Sequence, residues 1–313
     1  MPNAIARRTL LKGAAATGVL ALAGRSRAQE APSGETAGAL LTRQVPSSGI
    51  ELPVVGMGTW ITFNVGNDSD ALAERTAVMK AFFGAGGAVI DSSPMYGSSQ
   101  ATVGHGLEQL GIPDRLFAAD KVWTSDVSDG QAQIEATRQH WGVDRFGLMQ
   151  VHNLLGWPGH LETLQALKEE GLVGHIGITT SHGRRHDDIE EIMARQPIDF
   201  VQLTYNIADR EPERRLLPLA SERGIAVVAN RPFQRGALIE ATRGAPLPGF
   251  AAEIGAETWP KFLLKFIVSH PALTVAIPAT RSVDHVRENM AAARGPLPDA
   301  EMRRQMADHF DSL

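Results

Sequence analysis

The sequence predicts an α/β fold: a (β/α)8 TIM barrel with an N-terminal β-hairpin closing its bottom. Three observations lead there. Short apolar runs alternate with amphipathic stretches along most of the 313 residues. The runs are almost continuously apolar, as expected of strands buried on both faces of a parallel sheet. Eight such β/α units fit into about 260 residues, the usual size of one closed barrel. A doubly wound open sheet is the alternative architecture.

The elements follow in order. The stretch "LTRQVPSSGIEL" at 41–52 has hairpin turn chemistry and is placed at the bottom of the barrel. Candidate strands are "VVGMGT" 54–59, "GAVIDS" 87–92, "LFAADKV" 116–122, "FGLMQVH" 146–152, "HIGITT" 175–180, "FVQLTY" 200–205, "GIAVVAN" 224–230 and "TVAIPA" 274–279. Helical patterns fall near 70–83, 99–110, 131–141, 160–170, 186–195, 212–223, 257–269 and 283–292. The tail after 292 reads as a final helix, too short and polar for a long lid. Residues 41–313 form a single barrel domain on this reading.

The first 28 residues read differently. Paired Arg7-Arg8, then Leu10, Leu11 and Lys12, precede a short run of small apolar residues that ends in "SRA". A charged start, a short apolar region and a small-residue cleavage site near Ala28 describe a signal peptide. The paired arginines resemble a twin-arginine export signal, so the expected location is the periplasm or outside the cell and the export machinery is an expected partner. The apolar run, 13–24, is too short to span a membrane as a helix. Residues 29–40 read as a flexible lead-in. There is no cysteine, which suits an oxidising destination without requiring it.

Removing residues 1–28 leaves 25 basic and 35 acidic residues. Such a balance argues against nucleic acid, whose phosphates call for a cationic face. No basic amphipathic helix points to a membrane surface, so membrane insertion of the mature chain is not expected. No H-x-H at a strand end, no H-E-x-x-H, no P-loop and no G-x-S-x-G elbow is present, and no metal site is expected.

In a barrel of this kind chemistry sits at the C-terminal strand ends. The first strand brings Thr59 and Trp60 there. The second brings Asp91, with Tyr96 on the following loop, and the third brings Lys121 and Trp123. The fourth brings His152, Asn153 and then Trp157. Thr179 and Thr180 end the fifth, Gln202 and Tyr205 the sixth, and Asn230 the seventh, with Pro232 just beyond. Asp91, Tyr96, Lys121 and His152 make a coherent chemical group. A phenol near pKa 10 is a poor proton donor at neutral pH, and an adjacent ammonium lowers it. A carboxylate keeps that ammonium charged, and an imidazole can hydrogen-bond a carbonyl oxygen. Read singly, each has a structural explanation: a turn cap, a packed loop aromatic, a rim ion pair, a satisfied histidine. Together at successive strand ends they suit conversion of C=O to C–OH.

The pieces "VVGMGTW", "IDSSPMYG", "ADKV", "LMQVHN", "HIGITTS", "FVQLTYN", "GIAVVANRPFQRGAL" and "TVAIPATRSVDHVREN" come in the order seen in the aldo-keto reductases, which the chain resembles over about 43–291. The resemblance implies that Asp91, Tyr96, Lys121 and His152 are the catalytic tetrad, with Tyr96 the acid/base. It implies NADP(H), with NAD(H) possible, lying extended across the barrel mouth without a Gly-rich motif. Where the family commonly has Ser-Asn this chain has Thr179-Thr180, followed by Gln202. Asn230 stands where a stacking aromatic is common; either Tyr205 stacks in its place or the nicotinamide ring is held differently. At the phosphate end Ala279-Thr280 and His285 stand at the usual Lys-Ser and Arg positions, Arg281 is the candidate to meet a 2′-phosphate, and Glu288 and Asn289 match adenine-contacting positions. Trp60, Trp123, Asn153 and Trp157 are expected walls for a small-molecule carbonyl substrate, and an open pocket suits bulky or varied carbonyls. The rival reading is a nucleotide-binding barrel that senses or scaffolds with little turnover.

Overall fold

A computed structural model of the chain describes residues 38–313. The expected signal peptide, and all of the expected lead-in before 38, lie outside the described residues. Strands β1 (Thr42–Gln44) and β2 (Glu51–Pro53) pair antiparallel as the expected hairpin. Eight parallel strands follow in sequence order: β3 (Met57–Gly58), β4 (Val89–Asp91), β5 (Phe117–Val122), β6 (Phe146–His152), β7 (Val173–Thr179), β8 (Phe200–Thr204), β9 (Ala226–Asn230) and β10 (Leu273–Ala276). The circle is completed by bridges between Val55 and Ala276 and between Gly58 and Ala279. The first rests on Gly56 N donating to Ala276 O at 2.8 Å and Ala276 N donating to Val54 O at 2.9 Å, and at the second Gly58 N donates to Pro278 O at 3.1 Å.

Helices α1 (Ser69–Gly84), α2 (Ser99–Leu110), α3 (Val127–Trp141), α4 (Trp157–Glu169), α5 (His186–Arg195) and α6 (Leu216–Arg223) cover the first six barrel strands. A short α7 (Ala237–Ala241) sits in the long segment after β9, before α8 (Trp259–Val268). Helix α9 (Val283–Ala291) follows β10, and α10 (Ala300–Asp311) is the final helix. Boundaries differ from expectation where capping decides. Asp68 accepts from Asp70 N and Ala71 N to start α1, and Asp126 accepts from Ser128 N to start α3 four residues early. Pro212 opens a single 3-10 turn, Glu211–Arg214, so α6 begins at Leu216 rather than 212.

The inner layer of the barrel contains Phe117, Leu148, Phe200, Val228 and Val275, and Val45 and Leu52 of the hairpin pack into the same cluster. His175 on β7 fastens that plug: its Nδ1 lies 2.8 Å from Gly147 O and its Nε2 2.8 Å from Ser48 Oγ. The bottom is therefore filled, and any cavity is left to the opposite end, where strand residues are polar.

Strand β3 is shorter than the six residues expected, and its edge approaches the segment after β10 closely. A Cβ on Gly58 would lie 2.9 Å from Ile277 O. The helix layer has its own tight point: a Cβ on Gly104 of α2 would lie 1.9 Å from His140 O on α3. Gly104→Ala is expected to lower the unfolding free energy by about 1–3 kcal/mol, measured by urea denaturation, because backbone, not a movable side chain, blocks the methyl.

Candidate active site

Asp91 ends β4, Lys121 stands near the end of β5 and His152 ends β6, so neighbouring parallel strands deliver all three to one mouth. Lys121 Nζ donates to Asp91 Oδ2 at 2.6 Å and to Ser92 O at 2.7 Å, and both side chains are buried. Asp91 Oδ1 accepts from Gln202 Nε2 at 2.9 Å and from Gln150 Nε2 at 3.2 Å. Tyr96 arrives on a single 3-10 turn, Pro94–Tyr96, whose cap is Ser93: its Oγ accepts from Met95 N at 3.2 Å. The Tyr96 and His152 rings meet edge to face at 5.7 Å, and Lys121 Nζ lies 5.1 Å from the Tyr96 ring centroid. Ser93 Oγ and His152 Nδ1 are 2.7 Å apart.

The electrostatics differ in one respect from expectation. Burial pushes the Tyr96 phenol above its ordinary pKa, while the Lys121 ammonium pulls it down without reversing the direction. Burial alone would lower the Lys121 ammonium, but Asp91 and Tyr96 hold it above its usual value. Burial, aided by the Lys121 charge, drives His152 down to about 2, so its imidazole is neutral at neutral pH.

Above these groups opens a cavity of about 560 Å³ at the barrel mouth. Asp91, Tyr96 and His152 line it, and Lys121 stands behind them, out of reach of solvent. A family model, described as the aldo/keto reductase family, matches residues 54–307. The chain belongs to the aldo/keto reductase family.

Among curated proteins it is similar to the methylglyoxal reductase YeaE of Escherichia coli strain K12, 25% identical over 267 residues, 82% of this chain and 90% of that protein. It is 24% identical over 282 residues to an NADH-specific methylglyoxal reductase of the same organism, covering 71% of this chain and 84% of that one. Among solved structures, an aldo-keto reductase of Klebsiella pneumoniae in complex with NADPH superposes with a TM-score of 0.71 at 21% identity, over 87% of this chain and 95% of that one. The last likeness establishes the barrel.

The cavity of this aldo/keto reductase also gathers most of the other residues expected at the mouth. Thr59, Trp60 and Asn153 line it, as do Thr179, Thr180, Gln202, Asn230 and Pro232. Thr280, His285, Glu288 and Asn289 line the far side, at the start of α9. The expected carboxamide-binding groups are spent on one another. Thr179 donates to Gln202 Oε1 at 3.2 Å, Thr180 donates to Arg184 O at 3.0 Å, and Asn230 Nδ2 donates to Thr180 O at 2.8 Å.

Four expected residues stand elsewhere. Tyr205 is fully buried: its hydroxyl donates to Glu213 and accepts from Arg303 Nη2 at 2.5 Å, with Phe266 against its ring. Gln202 and Thr204 point to the mouth, and residues alternate along a strand, so Tyr205 points outward to α10. It does not replace the stacking aromatic. Trp123 is 39% exposed on the rim and does not line the cavity. Trp157 opens α4 and packs against the core. Arg281 does not line the cavity either.

Four arginines were missed. Arg184, Arg231, Arg235 and Arg243 line the cavity; Arg243 pairs with Glu240, and none of the other three forms an ion pair among the described residues. Arg235 lies over the Trp60 ring at 4.4 Å. Burial, Arg235 and Arg184 push the Arg231 guanidinium below its usual pKa, opposed by Asp209. The available signal was "NRPFQRG", two cations at a strand end with no acid between them.

Asp120 is the other surprise. It is fully buried behind the tetrad, accepts from Gln100 Nε2 at 2.6 Å, and leaves Oδ1 without a partner. Burial raises it to about 7 against the pull of Lys121. A carboxyl whose folded pKa is raised adds stability in acid and loses it as pH climbs to the folded pKa. Asp120→Asn removes that dependence. The stability of the variant relative to wild type is expected to rise between about pH 4 and pH 7 by up to about 4 kcal/mol, read from urea midpoints across that range.

Proposed function

We propose that the chain reduces an aldehyde or ketone to its alcohol with a nicotinamide nucleotide, NADP(H) in preference to NAD(H), and that Tyr96 delivers the proton. The observation that carries this is the buried Asp91–Lys121 pair set directly against Tyr96 and His152 at the floor of an open cavity. The nucleotide, when bound, supplies the hydride for the carbonyl carbon. Tyr96 gives its proton to the carbonyl oxygen, and the phenolate left behind faces the Lys121 ammonium, which stabilises it. Asp91 keeps that ammonium charged and in place. His152, neutral and facing the cavity, orients the oxygen.

The residues present fit a dinucleotide. The unpaired Arg184, Arg231 and Arg235 suit a pyrophosphate. The start of α9 presents backbone N–H groups, with Thr280 and His285 beside it, to a second anionic group such as a 2′-phosphate. Two anion-seeking places on one cavity favour NADP(H). Two curated relatives are named methylglyoxal reductases, which makes a small 2-oxoaldehyde the first substrate to test. Trp60, Ile61 and Met95 supply apolar wall beside Tyr96.

Residues 1–28 are read as a twin-arginine-type signal that exports the enzyme folded, to the periplasm or out of the cell. Replacing Arg7 and Arg8 together by lysine is expected to retain the protein in the cytoplasm. Fractionation followed by immunoblotting checks it, and unchanged export of the double variant would dismiss the signal.

For the chemistry, Tyr96→Phe is expected to lower kcat by about 100-fold or more while nucleotide still binds. Turnover of methylglyoxal and a panel of aldehydes and ketones, alongside NADPH titration by fluorescence, measures both. Tight nucleotide binding without turnover in the wild type would favour the sensing or scaffolding barrel instead.

A further inference from the structure

We propose that Ser93 is a positioning residue whose hydroxyl donates to Nδ1 of His152, holding the imidazole as the Nε2–H tautomer that offers a hydrogen bond to a carbonyl oxygen beside Tyr96. The proposal deepens the reductase reading and rests on it for its catalytic consequence, though not for the tautomer itself.

Four observations support it. Ser93 is fully buried, and its Oγ lies 2.7 Å from His152 Nδ1. That oxygen already accepts from Met95 N at 3.2 Å, and no other acceptor for its hydrogen is present among the described residues. The imidazole is neutral, so one ring nitrogen carries a hydrogen and the other does not. If Nδ1 carried it, Ser93 would hold a buried O–H with nowhere to donate. If Nε2 carries it, every polar group in the cluster is satisfied.

The direction of the other nitrogen completes the argument. His152 lines the cavity, and Nε2 has no protein partner among the described residues. It is not among the buried polar atoms left unpaired, so it opens on the cavity. An oxygen placed between the perpendicular Tyr96 and His152 rings meets a phenolic O–H on one side and an imidazole N–H on the other. The alternative tautomer would present a lone pair there and repel that oxygen.

Ser93 also links the two groups mechanically. Its backbone carbonyl accepts from Tyr96 N at 2.9 Å, and its side chain caps the turn that carries Tyr96. One residue therefore sets the height of the phenol and the protonation pattern of the imidazole.

The test uses the protein loaded with NADP+, labelled with 15N-histidine, with the His152 signals assigned by their loss in His152→Gln. Long-range 1H–15N spectra at pH 7 are expected to show His152 protonated at Nε2 and bare at Nδ1. In Ser93→Ala the tautomer is expected to become mixed or to invert, and kcat to fall about tenfold or more with the KM for nucleotide unchanged. Ser93→Thr, which keeps a hydroxyl, is expected to restore the tautomer and most of kcat. A wild-type His152 protonated at Nδ1 overturns the proposal, whatever the variants do. So does Ser93→Ala with both tautomer and kcat unchanged. Absence of carbonyl turnover in the wild type would instead count against the reductase reading, and the spectrum would still decide the role of Ser93.

Discussion

The ion pair between Lys121 and Asp91 governs the mouth of this barrel. Taking an ammonium and a carboxylate out of water costs several kcal/mol per ion, and their attraction offsets it only when the remaining hydrogen-bonding capacity is filled. Here it is filled. Ser92 O takes a second Lys121 proton, and Gln150 and Gln202 both donate to the far oxygen of Asp91. Those partners come from β6 and β8, on either side of β7. The pair thus demands that several strands reach the mouth in register, and the parallel ladder from β4 to β8 supplies it. Once the pair exists, a buried positive charge is fixed in the one place where it can steady a phenolate, and it also helps keep His152 neutral.

The phenol stands in a tension that suits the proton donation proposed for it. Burial resists ionisation of Tyr96, and Lys121 favours it. A proton donor that stays protonated at rest, beside a cation that relieves the charge as it forms, releases its proton only when an acceptor is in place. Stabilisation then appears with the charge itself, which is the condition for lowering a barrier rather than tightening ground-state binding. Asp120 acts on the same groups from behind, through the field of its carboxylate when ionised.

Much of this was legible because strand ends in a parallel barrel are predictable places. The apolar runs located β4 to β10 to within a few residues, and Asp91, Lys121 and His152 lay at their ends. Parity along β8 was also legible: Gln202 and Tyr205 are three apart and cannot share a face, so the stacking role for Tyr205 was avoidable. Trp123 and Trp157 went astray because residues past a strand end leave its pleat, and helix α4 begins at Trp157 itself. Asp120 was invisible for a different reason. Its neighbours Gln100 and Thr137 come from α2 and α3, and no local pattern announces a contact between distant helices. Ser93 went unmarked between Asp91 and Tyr96, because nothing in sequence says that its hydroxyl meets His152.

The loop after β9 shows how the arginines can be held without acids. Arg231, Gln234 and Arg235 all adopt left-handed backbone, with φ of 52°, 47° and 62°, a conformation costly for residues with a Cβ. The loop keeps that shape because its neighbour, the segment after β8, grips it. Asn206 Nδ2 donates to Arg231 O at 3.1 Å and to Asp209 Oδ2 at 2.8 Å, and Gln234 Nε2 donates to the same carboxylate oxygen at 2.7 Å. Asp209 is thus spent on amides that hold the loop rather than on a salt bridge to any guanidinium. The strain and the crowding of like charges are both costs in the free protein, and the crowding falls when the anion proposed above enters among the cations. A ligand that relieves the crowding binds the folded state alone, so its affinity adds to stability by mass action.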